Sequence, residues 1–527
     1  MVFADEGGPA ERDMLSAAAK RYFGIEYLFP YQRLVISNIL EAFSALKTGP
    51  DVETTDRQTA GRQIVILPTG AGKSLCFQLP AMLFDGVTLV IYPILSLMAD
   101  QQRRLGSLAE KTGEASLVPV LFRGGQDADE RRELIRSIQS GQRRFVIANP
   151  EVLLTPAMMD ILPGLNIVHM VIDEAHCVSE WGESFRPSYL RIAEIAAAAR
   201  PEAAARPEAA SGPGETGFPL PLVTAFTATA SAPVLEKIER YIFGGTPPEF
   251  TVNRIVGNPD RSNITYTARG ALLRELAVRD ILLKNALPAI VFCSSREGTE
   301  KLARYLRYWF GQNVRFYHAG LSREERSDIE KWFFENDKII LVATCAFGMG
   351  IDRGDIRTVI HRDCPPSAEA YLQESGRAGR DGQPSLAVLL WGEEDALVLA
   401  RAGSEENKAR VQKLLAYARN VQKCRRQALM DLMDYRFPGP GPEHPEKNCC
   451  DVCSGEASPR CREEQSLLDF FRRNNRCYTV GEAPGVLAGS NGAAWSEEEA
   501  KHAVSLLVKL GKLTVRRHFP WKGKISL

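Results

Sequence analysis

Nine short runs of β-branched and aromatic residues recur through the first 400 residues: RQIVILP, VTLVIYP, RFVIANP, HMVIDEA and LVTAFTA, then AIVFCSS, VRFYHAG, KIILVATC and RTVIHRD. Helical stretches separate them. Runs this continuously apolar suit strands buried on both faces, and buried strands alternating with helices pair into parallel sheets covered by those helices. The series therefore predicts an α/β chain with two parallel-sheet lobes, 1–245 and 246–400, followed by segments 401–461 and 462–527 where the pattern changes. Residues 196–218, an Ala/Pro/Glu tract without an apolar face, read as a solvated insertion in the first lobe, and residues 47–61 as a polar loop before its first strand.

Composition narrows the function classes. Lys+Arg and Asp+Glu number 65 each in 527 residues, so binding to a polyanion has to rest on local patches. No apolar run approaches the roughly 18 residues that span a bilayer, and the start MVFADEGGPAERD lacks a basic and apolar leader, so a cytoplasmic chain without a membrane partner is expected. Of eleven cysteines, Cys76, Cys177, Cys293, Cys345 and Cys364 stand singly in apolar segments and read as small buried hydrophobes. The other six, Cys424, Cys449, Cys450, Cys453, Cys461 and Cys477, crowd the last quarter and need a separate explanation.

LPTGAGKSLCFQLP follows a strand and opens a helix, the setting in which backbone N–H groups and a helix N-terminus receive phosphate. Thr69, Gly70, Gly72, Lys73 and Ser74 form that loop: the glycines allow close approach, Lys73 reaches the β/γ phosphates, and Ser74 takes Mg²⁺. Leu67 stands where the general pattern has its first glycine. About 100 residues later VIDEAH ends another strand, with Asp173 placed to hold Mg²⁺ and Glu174 to position or deprotonate the attacking water. Hydrolysis also needs positive charge against the γ-phosphate. Arg377 and Arg380, three apart in YLQESGRAGRDG at an expected helix start, are the candidates, which would put the ATP site between two domains.

TGAGKS, DEAH, TATA and QESGRAGR in this order are the motif series of superfamily 2 helicases, and with FGMGID, YPILSLMADQ, YHAGLSREER and CVSEWGESFRPSY the chain most resembles the RecQ DNA helicases over residues 20 to 455. The resemblance implies two RecA-like lobes, a small helical zinc-binding subdomain and a winged-helix module. It makes the segment after DEAH an aromatic loop that touches single-stranded DNA and reports it to the ATP site, with Trp181 and Phe185 stacking on bases and Arg186 engaging phosphate or base planes. FGIEYLFPYQ is similar to the family's adenine-recognition motif, with Gln32 on the adenine edge. The chain departs from the family at Glu180, Glu183 and Ser184, at Asp352, and at Ile25 and Phe29 in the adenine motif, where Tyr27 is a substitute stacking residue.

The late cysteines resemble the family's zinc region. Cys424 on a helix, with Cys450 and Cys453 of NCCDVC, gives three thiolates; the fourth ligand is open among Cys449, His444 and Cys461, Cys449 first. Two basic groups follow the motor: Lys408 to Arg426 before the cluster, equally well explained as solvated helix charge, and RRHFPWKGK near the end, read as duplex contact. Taken together, the resemblance implies a monomeric DNA helicase of 3′ to 5′ polarity dependent on ATP and Mg²⁺, acting on single-stranded and tailed duplex DNA in repair and recombination, and nucleoid-associated if bacterial. The alternatives are a protein-displacing translocase or a DNA-binding scaffold with weak or regulatory ATPase.

Overall fold

The computed structural model describes residues 9–47, 61–68, 70–180, 186–199, 221–245, 252–257, 260–347, 353–392, 395, 399, 403–433, 449–489 and 495–527. The chain divides after Asp260 into two compact units. In the first, seven strands run Arg62–Ile66 (β1), Val87–Ile91 (β2), Val120–Phe122 (β3), Phe145–Ala148 (β4), Ile167–Ile172 (β5), Leu222–Thr227 (β6) and Asn253–Val256 (β7). They form one parallel sheet in the order β3-β4-β2-β5-β6-β1-β7. Strands β2, β5 and β6 are buried at every position because helices cover both faces, and apolar clusters fill each side. Strand β7 pairs with β1, so the first sheet runs past residue 245, where the sequence pattern placed its end.

This strand order positions chemistry. Strands β1 and β5 both flank β6, so the loop after β1, the acidic box after β5 and the TATA segment after β6 emerge together at the carboxyl edge of the sheet. With neighbouring strands about 4.8 Å apart, the ends of β1 and β5 lie about 10 Å from each other. Open parallel sheets bind ligands at such an edge.

The second unit has its own parallel sheet: Ile264–Gly270 (β8), Ala289–Phe292 (β9), Val314–Tyr317 (β10), Ile340–Ala343 (β11), Thr358–His361 (β12) and Ser385–Trp391 (β13), ordered β10-β11-β9-β12-β13-β8. Edge strand β8 alternates buried and half-buried positions, unlike the fully buried β9, β11 and β12. Its outer side is covered by the cysteine segment: Tyr266 N–H donates to the Cys449 carbonyl (3.3 Å), Asp451 N–H to the Tyr266 carbonyl (3.3 Å), and Ala268 N–H to the Asp451 carboxylate (3.0 Å). Helices Glu405–Arg419 and Arg425–Leu432 complete a small helical subdomain beside it.

The last segment comprises helices Arg462–Arg473, Ala483–Gly489 and Glu497–Lys509 and a short antiparallel hairpin, Thr514–Val515 (β14) with Ile525–Ser526 (β15). Ser496 caps the third helix in a capping box with Glu499, as SEEE predicts. Leu467, Phe471, Val504, Leu507 and Ile525 share one core with Leu272, Leu273 and Leu276 of the second lobe. Among the described residues, no helix is long and apolar enough to cross a membrane.

Candidate functional site

The phosphate loop begins where β1 ends. Leu67 N–H donates to the Thr227 carbonyl at 3.0 Å, which ties the loop's first residue to the end of β6. Gly70 (φ 87°) and Gly72 (φ 72°) take left-handed backbone, and Gly72 stands immediately before helix Lys73–Leu83. Lys73 Nζ reaches back to the Leu67 carbonyl at 3.4 Å, and Ser74 follows it in the helix's first turn. Thr69 lies outside the described residues.

Gln32 is buried against this loop. Its Oε1 accepts from Phe29 N–H (3.0 Å) and its Nε2 donates to the Ala71 carbonyl (3.1 Å), which also accepts from the Tyr31 hydroxyl (3.2 Å). A primary amide offers two donors and two lone pairs, so Gln32 keeps capacity for an adenine edge. Ile25 is half-buried against an apolar cluster, but Tyr27 is 64% exposed and meets Phe29 edge to face (5.6 Å), while Phe29 stacks on Tyr31 (5.5 Å, 5°).

The acidic box sits at the end of β5. Asp173 N–H donates to the Ile91 carbonyl (3.1 Å), its Oδ1 accepts from Glu174 N–H (3.0 Å), and Glu174 has φ 51°. Burial pushes the Asp173 carboxyl up to about 7, with repulsion from Glu174 adding to it and the Lys73 ammonium opposing it. A carboxylate so placed favours an arriving cation, and carboxylate and hydroxyl oxygens of the kind Asp173 and Ser74 carry are the hard ligands that Mg²⁺ takes.

His176 is the link that spacing could not reveal. Its Nδ1 lies 3.1 Å from Thr227 Oγ1 and 3.4 Å from Glu174 Oε2. The Thr227 hydroxyl spends its proton on the Thr229 carbonyl (2.8 Å), so Nδ1 is the atom that donates. The imidazole thus stands between the acidic box and the end of β6, hydrogen-bonded to Thr227 and within ion-pair distance of Glu174. Just downstream, Trp181 and Phe185 lie outside the described residues, as do Glu183 and Ser184. Arg186 faces Glu151 (3.7 Å), which also accepts from the Ser188 hydroxyl (2.9 Å).

In the second unit Arg377 and Arg380 follow the end of helix Ala368–Ser375 and sit in a run of turns, where the sequence pattern placed a helix start. Arg377 is buried and Arg380 half-buried. Asp352 lies outside the described residues.

The thiols of Cys424, Cys449, Cys450 and Cys453 all lie within 4.8 Å of one another. The Sγ separations, 3.6 Å for Cys424–Cys449 and 3.9 Å for Cys424–Cys450, bracket the edge of about 3.8 Å that a tetrahedron with 2.3 Å zinc–sulfur bonds requires. Cys450 Sγ accepts backbone N–H groups from Arg425 and Cys453, each at 3.4 Å. The hydrogen bond shared with Cys424, together with these donors, pulls its thiol down to about 4, while the same bond pushes Cys424 up. Cys424 stands just before helix Arg425–Leu432 rather than inside it. Cys461 lies elsewhere, its thiol donating to Glu463 (3.5 Å), and His444 falls outside the described residues.

Comparison with known proteins bears on both units. The DEAD/DEAH box helicase family matches residues 29–238 and the helicase conserved C-terminal domain matches residues 271–382. The ATP-dependent DNA helicase RecQ of Pasteurella multocida is 31% identical over 445 residues, covering 82% of this chain and 63% of that protein. The probable ATP-dependent DNA helicase RecS of Bacillus subtilis is 37% identical over 330 residues, 62% of this chain and 60% of that one. The chain belongs to the RecQ family of superfamily 2 helicases. It spans about three fifths of the length of those two relatives. Among solved structures, the DUF1998 helicase MrfA bound to DNA superposes with a TM-score of 0.53 at 18% identity, covering 93% of this chain and 63% of that one. The DEAD-box helicase Mss116 bound to ssRNA and UDP-BeF gives 0.51 at 15%, covering 92% and 93%. At such identities the likeness shows the fold, two RecA-like parallel-sheet lobes.

Within this RecQ-family chain the two basic groups differ. Lys408 and Arg410 pair with Glu405 (2.6 Å) and Glu406 (3.2 Å), Lys423 pairs with Asp431, and Arg425 is wholly buried against Asp451 (2.8 Å). In the terminal hairpin Arg516, Arg517 and Lys522 have no ion pair among the described residues, Phe519 is 92% exposed, and Trp521 is half exposed under the Arg476 guanidinium (5.7 Å).

Proposed function

We propose that this chain is an ATP-dependent DNA helicase that unwinds tailed duplexes with 3′ to 5′ polarity in repair and recombination. The observation that carries the reading is His176, hydrogen-bonded to Thr227 and 3.4 Å from Glu174, beside the phosphate loop. An NTPase that only bound nucleotide would have no use for a side chain set between its acidic box and the next strand's end. Lys73 and the loop's N–H groups bind the phosphates, Tyr27 and Phe29 offer exposed aromatic faces to the base, and Gln32 reads its edge. Glu174 accepts the proton of the attacking water, while Arg377 and Arg380 supply positive charge to the transition state, a contribution of about 10³ to 10⁵ in rate where one arginine does this. Ser74 and Asp173 hold Mg²⁺, which neutralises phosphate charge. Trp181, Phe185 and Arg186 contact single-stranded DNA, and the exposed hairpin around Phe519 and Trp521 contacts the duplex as the wing of a winged helix. Zn²⁺ fits the four-thiol site as a structural ion.

ATP hydrolysis with and without single-stranded DNA, on wild type, Lys73→Ala and Trp181→Ala, tests this, together with unwinding of duplexes carrying a 3′ or a 5′ tail. The expected result is strong DNA stimulation lost in both variants, with unwinding from the 3′ tail alone. Turnover indifferent to DNA would instead support a DNA-binding scaffold with regulatory ATPase.

A further inference from the structure

Two arginines connect the cysteine cluster to the loop that carries Arg377 and Arg380. Arg425 and Arg426 follow Cys424 directly. The Arg425 guanidinium makes a two-pronged pair with Asp451 (2.8 and 3.1 Å), the residue after Cys450, and also donates to the Tyr417 and Ala418 carbonyls, so the start of its helix is pinned to the knuckle. Arg426 then reaches away from the cluster. Its guanidinium donates to the carbonyls of Arg261 (2.8 Å), Ser262 (3.0 Å) and Ile264, and lies 5.5 Å from the Tyr266 ring. The Arg261 side chain in turn donates to the carbonyls of Gly376 (3.3 Å), Ala378 (3.4 Å) and Gly379 (2.6 Å). Asn263 adds bonds to the carbonyls of Gly379 (2.7 Å) and Gln383 (2.9 Å).

The loop is irregular backbone with no ladder of its own, so its carbonyls need partners from outside. On one side Gly379 and Asp381 N–H groups bind the carbonyls of Ile356 and Gly354. Most of the carbonyl side rests on Arg261 and Asn263. An arginine has five donors in a rigid fork and accepts nothing, which lets one side chain hold three carbonyls in fixed relation. Lysine, whose three donors radiate from one nitrogen, cannot reproduce that fork.

We propose that Arg426 and Arg261 are positioning residues for hydrolysis: Arg426 fixes the backbone at Arg261, Arg261 fixes the loop, and the arginine loop is thereby held in place by the cysteine knuckle. The inference rests on the reading of Arg377 and Arg380 as the cations of the transition state and adds what orients them. A displacement of about 1 Å in such a group costs on the order of 100-fold in rate.

The test uses the full chain. ATP turnover at saturating single-stranded DNA gives kcat and KM, a fluorescent ATP analogue gives nucleotide affinity, and a chromogenic chelator gives bound zinc. Arg426→Ala and Arg261→Lys are expected to lose about 100-fold in kcat while analogue affinity and zinc content stay at wild-type values. The double variant Arg261→Lys/Arg380→Ala is expected to turn over no more slowly than Arg380→Ala alone, because a positioning residue has nothing left to position. If Arg261→Lys does not fold, Asn263→Ala is read in the same way. Losses that multiply in the double variant, or an unchanged kcat in Arg261→Lys beside a slow Arg380→Ala, would overturn the relay alone. Unchanged kcat in both Arg377→Ala and Arg380→Ala would remove the catalytic reading of the loop, and the relay with it.

Discussion

At Gly72 a β-carbon would lie 2.6 Å from the Gln32 amide nitrogen, and the φ of 72° already disfavours any L side chain. Gly72→Ala is expected to cost about 1 to 3 kcal/mol and to weaken nucleotide binding, since the helix start must shift away from the loop. Adding Gln32→Ala removes the clash but not the backbone strain, so thermal unfolding of the double variant should show only partial recovery. His169 makes a second residue-scale prediction. It is wholly buried on β5, bonded to the Thr224 hydroxyl (2.9 Å) and set edge-on against Phe84 (5.7 Å), and burial pushes its imidazole down to about 3. Between pH 6.5 and that value the unfolded chain binds a proton the folded one refuses. Stability is therefore intact above pH 6.5 and falls as the pH drops below it, by about 1.4 kcal/mol per unit. His169→Gln should show a shallower fall between pH 6.5 and 5 in denaturant titrations, and parallel curves would refute the assignment.

Elements show what spacing can and cannot reveal. The predicted strands all form, because strands buried on both faces announce themselves as unbroken apolar runs. Strands β3, β7 and β8 escape that reading: β3 has three residues, β7 buries one position of four, and β8 alternates as an edge strand does. Strand β13, SLAVLLW, is apolar enough for either strand or helix. The phosphate loop and acidic box were legible because each is local in sequence. The bonds that organise them were not: His176 to Thr227 spans 51 residues and Arg261 to Gly379 spans 118, and no local pattern carries such a pairing. The Arg425–Asp451 pair belongs to the same class. With both side chains buried, Asp451→Asn leaves Arg425 uncompensated and is expected to destabilise the second unit by about 3 to 5 kcal/mol, seen as a lowered urea midpoint.

Across the whole molecule, equal numbers of acidic and basic residues conceal an uneven distribution. The charges of residues 408–426 are largely consumed in internal pairs, whereas Arg516, Arg517 and Lys522 stay open beside exposed aromatics. Replacing those three with Ala should weaken duplex binding and flatten its dependence on salt by a slope of about one per lost phosphate contact; an unchanged slope would assign duplex contact elsewhere. The cover over β8 has a further consequence. A parallel sheet in solution is a template for any passing strand, and the cysteine segment occupies the hydrogen-bonding row of Tyr266 and Ala268 that a foreign chain would use. Oxidising the thiols should therefore announce itself first as self-association, visible by light scattering while helical and sheet signals persist, and the solubility of the protein will track the redox state of its surroundings.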